Sequence, residues 1–182
     1  MEYRRARLEG GTFFFTVVTH LRRPILTSKM SRGLLRNAFR EVRARHPFDV
    51  EAIVLLPDHF HVLMRLPEGE TDYSVRIGGI KRNFTDAYLA GGGREGSASP
   101  GQARKRLRGV WQPRFWEHTI RDAKDYRMHV DYIHINPVKH GLVARVADWP
   151  WSSFHRYVKM GLYESDWLGR ADLPGQVEYY EP

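Results

Sequence analysis

The chain has 182 residues, 42% hydrophobic and 13% aromatic, which is enough to bury one substantial core and too short for a second of ordinary size. It contains no cysteine, so disulfides, thiolate nucleophiles and cysteine-ligated zinc are excluded, and any metal must be held by His, Asp, Glu, Asn or Gln. The net charge of +8 is concentrated: residues 1–45 hold eleven Lys/Arg against three Asp/Glu, while residues 46–182 hold eighteen of each, a field suited to a polyanion such as nucleic acid and equally to a solvated basic helix face.

No apolar run approaches the length of a bilayer span, and Met1-Glu2-Tyr3-Arg4-Arg5 lacks the apolar stretch of a secretory signal, which implies a cytoplasmic protein with no membrane partner. Taken in chain order, Thr12 to Thr19 (TFFFTVVT) is aromatic and β-branched and predicts a strand entered from a turn at Gly10-Gly11. Between Ser31 and Arg45, Leu35, Ala38, Phe39 and Val42 recur at helical spacing until Pro47 stops the pattern, with much of the basic charge on the other face. Val50 to Leu56 and Phe60 to Leu66, separated by Pro57-Asp58, predict an antiparallel hairpin. Asp72 to Leu89 places Tyr73, Ile77, Ile80, Phe84 and Tyr88 on one helical stripe despite the helix-weakening pair Gly78-Gly79.

Residues 90–102 are too rich in Gly, Ser and Pro to pack and predict a mobile surface loop. Arg114 to Ile120 then predicts a strand, and Asp122 to Ile135 a helix that ends near Asn136 because Pro137 follows. From about Gly161 the chain is an acidic tail expected on the surface. This order suggests one α+β domain over residues 1–182, a mostly antiparallel sheet with helices packed on one side.

Two constellations carry chemistry. In Pro57-Asp58-His59-Phe60-His61-Val62-Leu63-Met64 a strand points His59 and His61 to one face and Phe60, Val62 and Met64 to the other, so two imidazoles can chelate one cation; two unrelated histidines are the plainer alternative. In Asp131-Tyr132-Ile133-His134-Ile135-Asn136-Pro137, Tyr132 and Asn136 are four apart on one helix face, where they can face the histidine pair, or serve as a core tyrosine and a helix cap.

Together, His59-Phe60-His61 and Tyr132-Ile133-His134-Ile135-Asn136-Pro137 resemble the single-tyrosine HUH transposases, in particular the REP-associated tyrosine transposases related to the IS200/IS605 group. The resemblance runs from Tyr3-Arg4-Arg5 and Phe13-Phe14-Phe15-Thr16 through Trp111-Gln112-Pro113-Arg114-Phe115-Trp116-Glu117-His118 to Trp149-Pro150-Trp151-Ser152-Ser153. It implies a ferredoxin/RRM-like HUH nuclease fold, Tyr132 as nucleophile, and a divalent cation on His59 and His61. Insertion-sequence relatives carry a Gln where this chain has Asn136, so the resemblance implies Asn136 as third ligand, a departure to a shorter amide that keeps His118 in reserve. Imidazoles alone suit zinc, whereas phosphate and amide oxygens suit Mg²⁺ or Mn²⁺, which the resemblance favours. It further implies cleavage and rejoining of single-stranded hairpin DNA through a 5′-phosphotyrosine, by a monomer or a homodimer.

Arg4, Arg5, Arg7, Lys81, Arg82, Arg104, Lys105 and Arg106 are the residues expected to contact DNA, and Trp111 and Trp116 either stack bases or fill core. Two other readings stand beside this one: a non-catalytic nucleic-acid-binding module on a basic antiparallel α+β sheet, and a phosphohydrolase that uses water and leaves no adduct.

Overall fold

In the computed structural model, which describes residues 10–97 and 108–167, four strands form one sheet in the order β2-β3-β1-β4: β1 Thr12–Val18, β2 Asp49–Leu55, β3 His59–Arg65 and β4 Trp116–Thr119. All neighbours are antiparallel, and β2 and β3 form the expected hairpin, with a register shift between Val50 and Ala52. Among the described residues four α-helices accompany the sheet: α1 Lys29–Arg45, α2 Tyr73–Ala90, α3 Ala123–Lys139 and α4 Phe154–Lys159.

The first three helices start where a short polar side chain satisfies the free amides of the first turn. Ser28 accepts from Ser31 N, Asp72 from Val75 N, and Asp122 from both Lys124 N and Asp125 N.

The α+β plan and the antiparallel sheet are as the sequence implies, but the helices do not all lie on one side. Phe13, Phe15, Val17, Phe60, Val62 and Met64 pack with α1 and α2, whereas Phe14, Ala52, Val54 and Leu63 pack with α3 and Tyr157 of α4. The reason is visible in β3, where six consecutive residues from His59 to Met64 are buried. A central strand of that composition needs cover on both faces.

The open edge of β2 is covered too. Leu55 N–H donates to Trp151 O (2.9 Å), Ser153 N–H to Ile53 O (2.8 Å) and Trp149 Nε1–H to Leu55 O (2.9 Å), so residues 149–153 remove an exposed strand edge.

A second correction concerns α3, which runs through Pro137 to Lys139 rather than ending near Asn136. Proline gives up its N–H and crowds the carbonyl four residues back, costs that are tolerable in a last turn whose neighbours are held by other bonds. The stop is Gly141, at φ +66. Its N–H donates to Val138 O and that of Leu142 to Pro137 O, both 2.9 Å, the paired bonds of a Schellman termination.

Candidate active site

Strand alternation sends His59 and His61 toward α3, where both are almost fully buried. Their rings lie edge to face with centroids 4.9 Å apart. His61 is centred in the sheet, opposite Thr16 of β1 and Val54 of β2. Its Nδ1 is 2.9 Å from Thr16 Oγ1, and His59 Nδ1 is 2.7 Å from Asp58 Oδ1. With both Nδ1 atoms engaged, Nε2 is the nitrogen left on each ring for another ligand.

Asp58, which the sequence reading used only as a turn residue, is itself held by Arg22 Nη1 at 3.1 Å. Arg22 sits with φ +49 in a turn after β1, and Leu21 beside it with φ +53, a backbone conformation unusual for non-glycine residues. Burial works to raise the Asp58 carboxyl, but the bond to and charge of His59, with those of Arg22, outweigh it and hold the group at about 2. Asp58 is therefore an anion behind His59. His61 is driven well below the usual imidazole range, first by burial and then by the charges of His59, His140 and Lys139. It is thus the neutral form that a metal ligand must be.

Tyr132 projects from α3 onto this pair, its ring 5.3 Å from that of His61 and 5.9 Å from that of Phe14. Asn136, one turn on, is fully buried. Its Oδ1 and Nδ2 and the Nε2 of His61 make no hydrogen bond of ordinary geometry, although the amide is close enough to His61 to favour the charged ring slightly. Buried orphan polar atoms are costly, and an imidazole nitrogen and an amide oxygen left so are the donor set a divalent cation would satisfy. His59, His61 and Asn136 therefore fit such an ion. Two turns along the helix, Lys139 brings Nζ to 3.4 Å from Tyr132 Oη and 4.9 Å from its ring centroid, and His140 stands 5.1 Å from His59. Neither Lys139 nor His140 is marked by any motif or spacing in the sequence.

The other expected residues are placed differently. His118 on β4 is engaged elsewhere: Nε2 lies 2.9 Å from Asp125 Oδ2, and its ring stacks on His129 at 4.6 Å. His129 Nδ1 reaches Asp125 Oδ1 at 3.0 Å and Asp125 O at 2.8 Å. Burial tends to raise the Asp125 carboxyl, but the His118 bond, the Arg121 N–H and the two imidazoles outweigh it. These contacts tie β4 to the start of α3, and the three side chains bring ligand atoms within 4.8 Å of one another, with His129 Nε2 buried and without a hydrogen-bond partner.

Lys81 and Arg82 lie on α2, across the sheet from Tyr132, in a cleft of about 560 Å³ that also includes Arg108, Trp111 and Phe115. Lys81 Nζ donates to Gln112 O at 2.7 Å, and burial lowers it to about 8. Trp111 is core, with Nε1–H donating to Lys81 O. Arg4, Arg5, Arg7, Arg104, Lys105 and Arg106 lie outside the described residues, as do parts of the expected 90–102 loop and 161–182 tail. None of the described helices is long and apolar enough to cross a membrane.

An antiparallel sheet that presents a His-hydrophobic-His pair to a helix-borne tyrosine, with an amide one turn beyond, is the arrangement expected of a tyrosine transposase of the HUH class. At 48% identity over 168 residues to the REP-associated tyrosine transposase of Escherichia coli (strain K12), 92% of this chain and 91% of that protein, the chain belongs to the REP-associated tyrosine transposase family. It is also 45% identical over 172 residues, 94% of this chain and 95% of the other, to a Haemophilus influenzae protein of the same family name. Among solved structures it matches a REP-associated tyrosine transposase bound to a REP hairpin, with a TM-score of 0.76 and 46% identity over 93% of this chain and 92% of that one. No family model matches the chain.

Proposed function

We propose that this transposase cleaves and rejoins single-stranded DNA beside a hairpin, with Tyr132 as nucleophile and a divalent cation, Mg²⁺ or Mn²⁺, held by His59, His61 and Asn136. The observation that carries the reading is the meeting of buried, unsatisfied ligand atoms on His61 and Asn136 with the Tyr132 ring, in a site with no other evident use for them. The relative bound to a REP hairpin supports a hairpin substrate. Its setting would be the cytoplasm.

When bound, the cation draws charge from the non-bridging oxygens of the scissile phosphate. The protein does the rest. Thr16 and Asp58 hold the two imidazoles by their Nδ1 atoms, which leaves the Nε2 atoms as the nitrogens that would take the cation. Helix α3 carries Tyr132 with its ring 5.3 Å from that of His61, within reach of a phosphate bound at the histidine pair. Attack forms the bond from Oη to phosphorus and breaks that to the 3′ oxygen; the proton lost by the phenol is balanced by one taken up at the 3′ oxygen. The linkage energy stays in the phosphotyrosine, so the strand can be rejoined without ATP.

The test is a denaturing gel of the protein with single-stranded hairpin oligonucleotides, with Mg²⁺ or Mn²⁺ and then with chelator. An adduct that requires metal and is lost in Tyr132→Phe is expected. His59→Ala and His61→Ala should abolish it while much hairpin binding persists, because phosphate contacts elsewhere supply affinity. Tyr126→Phe should react normally. The Tyr126 hydroxyl donates to Glu51 Oε2 at 3.2 Å and meets Tyr157 at 3.4 Å, away from the histidines, and burial pushes it above the usual phenol range. Tight binding without adduct would favour the binding-module reading, and cleavage without adduct a hydrolase.

A further inference from the structure

We infer that Lys139 is a catalytic residue whose ammonium meets the non-bridging oxygens of the scissile phosphate as Tyr132 attacks. The inference rests on the reading of Tyr132 as nucleophile. Tyr132, Asn136 and Lys139 stand at i, i+4 and i+7 and share one face of α3. Helical side chains lean toward the N-terminus, so a lysine at the end of the helix can reach back over two turns. Lys139 does so, bringing Nζ to 3.4 Å from Tyr132 Oη.

A lysine placed only to complement the negative end of the helix would serve from any position in the last turn and need not approach a hydroxyl. The exposure of the two residues differs in a telling way: Tyr132 is buried, whereas Lys139 is exposed at the solvent end of the same face. A phosphate that comes into line with Oη, at roughly 3 to 3.5 Å before attack, therefore arrives beside the ammonium. Its negative oxygens are the partners an ammonium of three donors takes up.

In the step itself Lys139 transfers no proton. It offsets charge that grows on the phosphoryl oxygens while the bond to Oη forms and that to the 3′ oxygen breaks.

The test compares native protein, Lys139→Gln and Lys139→Arg in single-turnover adduct formation on a hairpin oligonucleotide with one scissile phosphodiester. Loss of a preorganised transition-state contact predicts a fall of about 10² to 10³-fold for Lys139→Gln, partial recovery for Lys139→Arg, and unchanged melting temperature. The slope of log Kd against log salt should decrease by about one on removing one phosphate contact. A third readout is a methylphosphonate at the scissile position, which removes one anionic oxygen: the native protein and Lys139→Gln should then differ far less than on the natural diester.

A native rate and salt slope in Lys139→Gln overturns the inference, as does an equal slowing on diester and methylphosphonate. If Tyr132→Phe still forms the adduct, the nucleophile itself is wrong. If Tyr132→Phe is dead and Lys139→Gln is native, only the role of Lys139 fails.

Discussion

At the scale of single residues, the site depends on side chains that hold other side chains. Thr16 and Asp58 each occupy the Nδ1 of one histidine, and Arg22 holds Asp58. If the histidines are metal ligands as proposed, removing such a partner leaves them in place and loosens their aim, typically costing 10- to 100-fold in metal affinity. Asp58→Ala is therefore expected to raise the Mg²⁺ or Mn²⁺ concentration needed for half-maximal adduct formation by about that factor, with hairpin binding in chelator unchanged. An unaltered metal requirement would show that Asp58 is only a turn residue. The shared faces of His59 with His61 and of Tyr132 with Asn136 were legible in the sequence because period-two and period-3.6 spacing place each pair together, whereas their proposed roles came from the family resemblance. Asp58 was legible as a turn but not as a partner, and Lys139 not at all. Their roles depend on distances that spacing leaves open. His118 shows the limit from the other side: a histidine near the right place in sequence is bonded to Asp125 and stacked on His129.

At the scale of elements, α2 explains a pair that its sequence seems to argue against. A Cβ on Gly79 would come within 3.0 Å of Val42 Cγ2, so this glycine lets α1 and α2 approach closely. One on Gly78 would meet nothing within 4 Å. Gly78→Ala should therefore stabilise the protein by about 0.5 to 1 kcal/mol, the usual helix-interior difference between the two residues, whereas Gly79→Ala forces Val42 to move and should gain less or lose. Urea midpoints of the two variants check this, and equal gains would contradict the packing account. In α3 the boundary was misjudged because proline was weighed as a stop by itself. The paired bonds to Gly141 and Leu142 decide the end, and they extend the helix far enough to carry Lys139 onto the face of Tyr132.

At the scale of the whole molecule, the sheet has work on both faces. One packs α1 and α2, and the other buries the histidine pair beneath α3. His134 ties this second layer to the strap along β2, its Nε2 2.9 Å from Ser153 Oγ. Burial, then the charges of Arg156 and His155, lower it to about 3. Between that value and the ordinary 6.5 the unfolded chain binds a proton that the folded one does not. Stability should therefore fall as pH drops through this window, by up to about 1.4 kcal/mol per pH unit. Burial lowers His61 and His129 as well, so His134→Gln should flatten the acid limb without abolishing it. Urea unfolding between pH 4.5 and 7 tests the point, and parallel curves for variant and native protein would exclude His134 as a contributor.

By itself the sequence determined the four strands and the first three helices, but not α4, together with the antiparallel hairpin and the faces on which His59, His61, Tyr132 and Asn136 lie, because these follow from local periodicity and turn chemistry. Only the tertiary structure decided that α3 covers the sheet face opposite α1 and α2, that Asp58 and Thr16 orient the imidazoles, and that Lys139 reaches the hydroxyl of Tyr132. Those facts join residues distant in the chain, and their distances are set by how buried surfaces fit together, which no local pattern encodes.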